Sequence, residues 1–277
     1  MSSPAKGGIA IYIALALILS FFAIPLLWLL SLSVRTPAEI LVADVRIIPR
    51  SPTLQNFIQI LGNPQFLGYL WNSVKLSVVG AAGACIVAAP ASYAFSRFRF
   101  RGSSHLMFAL LAFQMFSPLV IMVPLYRNMQ ALGLAETHLG TALLYIAASA
   151  PIATWMLKGF FDAIPKEIEE AAMIDGCGRF RAFLRILLPI ALPGLASTFA
   201  MTAMLGWSQF VVPFILLSQP EMLPISVGIF NFLGSYTGSA TQLVAAASIL
   251  SLLPAIAIFL VFQYFVMDNL VAGALKE

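Results

Sequence analysis

The chain has 277 residues, of which 61% are hydrophobic and only 9% charged, and its mean hydropathy is +0.95. A soluble domain carries roughly 45–50% apolar and about 25% charged residues, so this composition excludes a water-exposed globule and fits a bilayer. There every backbone polar group needs an internal partner, which leaves helices or a closed barrel; long continuous apolar runs, instead of the short alternating segments of a barrel, select helices. The net charge of +4 comes from Lys and Arg clustered between apolar runs, which encodes topology and points to no nucleic acid.

The first apolar run, residues 9–32, is long enough to cross a core of about 30 Å at about 1.5 Å per residue, and it is too long for a signal peptide. Further spans are expected at 74–95, 106–126, 139–160, 190–217 and 243–266, six in all. With the N-terminus in the cytoplasm, the inner segments hold Lys6, Arg97, Arg99, Arg101, Lys158, Lys166, Arg179, Arg181, Arg185 and Lys276. The outer segments hold Arg35, Arg46, Arg50, Lys75 and Arg127. This bias places both termini in the cytoplasm. Two long outer segments, 35–72 and 218–242, are candidate contact surfaces. Cys85 lies in an apolar run and Cys177 in a basic loop, so a disulfide is not expected. His105 and His138 are isolated in sequence and suggest no metal site.

The spans contain no Asp or Glu, so an ion-coupled transporter or an embedded hydrolase has no residue to run it. Nor is there a Gly-rich phosphate loop followed by Lys-Ser or Lys-Thr. The chain therefore reads as a non-enzyme that binds no cofactor itself, and uphill transport would need energy from a partner. Mild polarity within the spans marks a candidate solute path at Gln114, Ser149, Thr202, Trp207 and Gln209. An aromatic face and an amide suit a sugar ring and its hydroxyls, although such residues also bond neighbouring helices. In the second outer segment, Ser235 and Tyr236 are candidate contacts for an external protein.

The inner segment 161–189 holds five of the eleven acidic residues. Pro165 suits the first turn of a helix; Glu167, Glu169 and Glu170 fall at the positive end of its dipole; Gly176 suits the left-handed residue after its end. A second, basic helix follows through Arg179, Arg181 and Arg185 to Pro189. The expected product is a short helix, a sharp turn and another helix, slim at Ala171 and Ala172. An acid-rich helix fits a negative cytoplasmic leaflet poorly and a protein cleft well.

Glu170-Ala171-Ala172, three residues, Gly176, nine residues, Ile186, then Leu188-Pro189 resembles the EAA loop of bacterial ATP-binding-cassette (ABC) importer permeases. Ala94-Phe95-Ser96-Arg97-Phe98 with Gly102, and the tail Val271-Ala272-Gly273-Ala274-Leu275-Lys276, resemble the carbohydrate branch, as in the second permease subunit of the maltose transporter. Ser208-Gln209 after Trp207 differs from the Asn-Glu common there, and Asp268-Asn269 departs from the usual basic-plus-Gly pair. The resemblance spans nearly the whole chain. It implies an all-α type I ABC importer permease fold and a single transmembrane permease domain over 1–277, with a coupling loop at 161–189 and an outer loop at 218–242. It also implies a place in the bacterial inner membrane among lipid. The implied partners are a second permease subunit, two ATPase subunits carrying ATP and Mg, and an external solute-binding protein. Glu170, Ala171, Ala172, Asp175 and Gly176 would form the coupling helix seated in an ATPase cleft, with the tail 273–277 touching the ATPase pair.

Overall fold

The apolar runs fold as helices, as hydrocarbon surroundings demand of their backbone. The structure is a computed structural model describing residues 4–42, 46–235 and 241–274, and every regular element among them is helical. In chain order these are α1 (Pro4–Ser33), α2 (Pro37–Leu41), α3 (Gln55–Leu61), α4 (Pro64–Arg97), α5 (Ser103–Ala112), α6 (Pro118–Ala131) and α7 (His138–Ala163). Then follow α8 (Lys166–Ile174), α9 (Arg179–Ala182), α10 (Leu188–Ile190), α11 (Leu192–Trp207), α12 (Val211–Leu216), α13 (Ile225–Ser235) and α14 (Thr241–Ala274). α1, α4, α7 and α14 are each long and apolar enough to cross a membrane, and there are six spans when each of two bent helix pairs counts as one.

Those bent pairs correct two of the expected spans. Residues 106–126 do not form one straight helix: Ser103–Met115 and Pro118–Ala131 meet at 96°. Phe116 and Ser117 are extended, at ψ 126° and 130°; the Pro118 ring disfavours helical geometry at Ser117, the residue before it. Residues 190–217 are likewise divided. Arg179–Ile190 and Leu192–Trp207 bend by 73°, and α11 stops at Trp207 before the short α12 begins. Pro189 and Pro193 supply no N–H to the preceding turns. The turn ahead of Pro189, Phe183–Leu187, widens to a π-helix in which the Leu188 N–H reaches the Phe183 carbonyl.

The chain divides into two compact units, 1–67 with 229–253, and 68–228 with 254–277. In the first, the end of α1 is tied to the segment that follows it. Arg35 lies over the Trp28 ring at 5.3 Å and donates to the Arg46 carbonyl. The buried Asn56 amide donates to the Ser33 and Arg35 carbonyls, each at 2.8 Å. Glu39 accepts from the Arg50 and Ser51 amides. Residues 46–56 are thus tied to the end of α1 and to α2 by side chains.

The second unit carries the larger core. α7 packs against α5, α11 and α12. Ala84, Ala88, Ala89 and Tyr93 of α4 meet Ala153, Leu157 and Phe161 of α7, with Phe183 and Leu187 closing the cluster. Small residues let the backbones approach: a Cβ on Gly83 would stand 2.2 Å from Ile146 Cδ1.

Candidate coupling site and solute path

The acidic helix α8 forms where its sequence demands. Pro165 stands at the N-cap, one place earlier than the first-turn position expected for it, and Glu167 and Glu169 occupy the first turn. At the other end Gly176 takes φ +85°. Its N–H bonds the Met173 carbonyl at 3.1 Å and the Cys177 N–H bonds the Ala172 carbonyl at 3.0 Å. These are the paired bonds of a Schellman turn, so the left-handed residue read from sequence is present.

α8 is two-faced. Glu169 and Ala172, three residues apart and therefore neighbours on one face, are buried at 6% and 5% exposure. Glu170, Ala171, Asp175 and Gly176 are exposed, as is Ile174, at 85%. Of the five residues expected to couple, four are open to a partner, while Ala172 turns into the chain's own packing.

Glu169 is held by two residues of α4. The Tyr93 hydroxyl donates to its Oε1 at 2.6 Å. The Arg97 Nε stands 3.1 Å from its Oε2, an ion pair with both side chains under one-tenth exposed, though without the alignment of a hydrogen bond. Arg97 also donates through Nη2 to the Ile164 carbonyl at 2.8 Å. The Tyr93 ring lies 4.8 Å from Phe183 and 6.2 Å from Phe161. Beside this contact a polar cavity of about 340 Å³ is lined by Arg97, Arg99, Lys166, Glu170, Met173 and Arg179, and Arg179 stacks over Phe98 at 5.4 Å. In the sequence Glu169 has only a dipole role, and Arg97 a topological one and a place in the Ala94–Phe98 resemblance. Their partners lie on different helices, and no local spacing signals such a pair.

A second polar cluster forms near the start of α4. Asn72 donates to the Glu221 and Leu223 carbonyls at 2.8 and 3.1 Å, and Ser73 accepts from the Ile225 amide at 2.7 Å. His138, isolated in sequence, bonds the Met222 carbonyl at 2.9 Å and lies 3.5 Å from Lys75 Nζ. Glu136, at φ +56°, accepts from the Ser218 amide at 2.7 Å and from its hydroxyl. Lys75 to Arg97 spans about 33 Å of helix, close to the thickness of a hydrocarbon core. Lys75, His138 and the 221–225 segment therefore gather at one end of α4, and the α8 contacts at the other.

The solute-path candidates fall into separate groups. Gln114, in the turn between α5 and α6, donates to the Ala148 carbonyl at 2.9 Å, beside the buried Ser149. Trp207 and Gln209 are half-buried at the α11–α12 break, where the Gln209 carbonyl accepts from the Ser226 hydroxyl at 2.7 Å. Thr202 is 1% exposed and bonds the Thr198 and Phe199 carbonyls of its own helix. No hydrogen bond joins these groups among the described residues. A cavity of about 650 Å³ lies elsewhere, against Val78, Cys85, Phe199, Ala200 and Ala257; its apolar wall suits a hydrocarbon and not a sugar. Ser235 ends α13, while Tyr236 and 275–277 lie outside the described residues.

Broken helices, a small-residue core and a two-faced acidic helix mark a polytopic helical membrane protein. Residues 80–269 match the family described as binding-protein-dependent transport system inner membrane component, and the chain belongs to that family. It is 33% identical over 269 residues to the galactooligosaccharides transport system permease protein GanQ of Bacillus subtilis, covering 96% of this chain and 94% of that one. It is 32% identical to the inner membrane ABC transporter permease protein YcjP of Escherichia coli, covering 97% and 96%. In fold it is similar to a chain from the crystal structure of a bacterial ABC transporter involved in the import of the acidic polysaccharide alginate. There the TM-score is 0.79 at 23% identity, over 95% of this chain and 98% of that chain. The fold is that of a type I ABC importer permease.

Proposed function

We propose that the chain is one of two permease subunits of an ATP-driven, binding-protein-dependent importer, and forms half of the path for a carbohydrate-like solute. The observation that carries this reading is α8: a slim acidic helix, fixed on one face through Glu169 and Ala172 and open on the other at Glu170, Ala171 and Asp175. A helix so divided suits a cleft on a cytoplasmic ATPase subunit. Two such subunits would hold ATP and Mg, while this chain holds neither and hydrolyses nothing. The 218–242 segment would meet the external solute-binding protein, with its base held by Asn72, Ser73 and His138. Both termini would lie in the cytoplasm, and both units would act as one permease domain. The carbohydrate assignment draws on relatives such as GanQ and the trehalose transport system permease protein SugB of Mycobacterium tuberculosis, 31% identical over 261 residues, 94% of each chain.

The test is uptake into proteoliposomes holding the chain with its candidate permease, ATPase and binding-protein partners. A sugar panel is offered with and without ATP. Uptake that needs both ATP and the binding protein is the expected result. ATP-independent flux would make the chain a channel, and ATP hydrolysis with no sugar taken up would overturn the carbohydrate assignment.

A further inference from the structure

α8 joins its neighbours in three ways. At its start, Ile164 and Pro165 form an extended link from α7, with ψ 124° and 138°. At its end, Gly176 and Gly178 lead into α9 and the π-helical turn before the break at Ala191. Neither covalent link continues the α8 helix: the first is extended, and the second reverses through the left-handed Gly176. The third attachment is lateral and stiff. Glu169 of α8 meets Tyr93 and Arg97, both on α4. Arg97 at the same time holds the Ile164 carbonyl, so one guanidinium bridges α4, the exit of α7 and α8. The Arg97 and Glu169 side chains are 5% and 8% exposed, where the attraction between charges is screened little; direction comes from the Tyr93 hydrogen bond to Glu169 and the Arg97 hydrogen bond to Ile164. A buried ion pair adds little net stability over an apolar pair of the same size. Fold stability alone therefore does not account for this one.

We infer that Arg97 and Glu169, supported by Tyr93, are positioning residues that deliver the movement of α8 to α4, so that α4 is where the stroke enters the membrane-embedded core. This rests on the permease reading above. α4 then moves with α8, while α11, beyond the 73° bend, follows with slack.

The experiment uses the full importer in proteoliposomes and reads ATP hydrolysis and solute uptake in the same vesicles. Wild-type uptake that depends on ATP upholds the permease reading, and its absence would sink that reading before any variant is compared. Glu169→Gln keeps the shape and the Tyr93 contact but removes the charge. It should still assemble and hydrolyse ATP, with solute moved per ATP down at least tenfold; Tyr93→Phe should lower the ratio less. A residue that only holds the fold would lower assembly, hydrolysis and uptake together and leave the ratio unchanged, and that result would overturn the inference. A second variant, Arg97→Cys with Glu169→Cys and with Cys85 and Cys177 changed to Ala, decides the matter independently. Bridging the two thiols with a short bifunctional thiosulfonate should restore the ratio that the unbridged protein lacks. No gain on bridging would overturn the proposal.

Discussion

At Gly176 the backbone sits at φ +85° with open space where a Cβ would lie, so any cost of substitution there is conformational and not steric. An L-residue in this region costs roughly 1–2 kcal/mol, and β-branched residues fit worst. Gly176→Val should leave the protein in the membrane at normal level but misdirect the chain after α8, lowering uptake several-fold. Gly176→Asn, which tolerates the left-handed region, should retain most of it; equal uptake by both variants would show that the turn does not matter. Glu170, exposed one position beyond the buried Glu169, carries a different expectation. Glu170→Lys should weaken co-purification of the ATPase subunit without altering the Tyr93–Glu169 contact, and an undiminished complex would move the docking site elsewhere.

Among elements, the 218–225 segment is held by side chains from α4 and α7 as well as by the burial of Leu223 and Ile225. Asn72 alone satisfies two carbonyls, and leaving a buried acceptor unpaired costs about 1–3 kcal/mol. Asn72→Ala should therefore speed amide hydrogen exchange across 218–225 while leaving α4 and α7 protected; unchanged exchange would mean the segment is held by other contacts. How far such elements were legible varies with the kind of signal. The apolar runs located α1, α4, α7 and α14, because hydropathy is local and additive, but gave the two bent pairs as straight spans. The prolines at 118, 189 and 193 were visible in those runs, yet their effect was not. A proline inside a span is either accommodated, as Pro90 is within α4, or breaks it, as at Ser117 and Ala191, and packing with other helices decides between the two. The Schellman turn was readable at Gly176 because one residue's φ carries it. The Arg97–Glu169 pair was not, since it exists only once two distant helices are brought together.

For the molecule as a whole, the polar clusters at the two ends of α4 set a sidedness that the two native thiols can report. Cys85 is buried on α4 and Cys177 is half-buried just after the Gly176 turn. A membrane-impermeant thiol reagent should label Cys177 in inverted vesicles and not in right-side-out ones, and assembly with the ATPase subunit should slow that labelling. Labelling from the outer side would invert the topology proposed here.

The two faces of α8 separate two kinds of information. The inward face, Glu169 and Ala172, answers to the chain's own helices, and a change there disturbs the permease itself. The outward face, Ala171, Ile174 and Asp175 with Glu170 at the rim of the polar cavity, is open to whatever docks on it. Were α8 to dock on an ATPase as proposed, such a permease would be free to exchange one motor for another by altering a few outward side chains, with its scaffold untouched. Solute choice and motor choice would then drift apart over time.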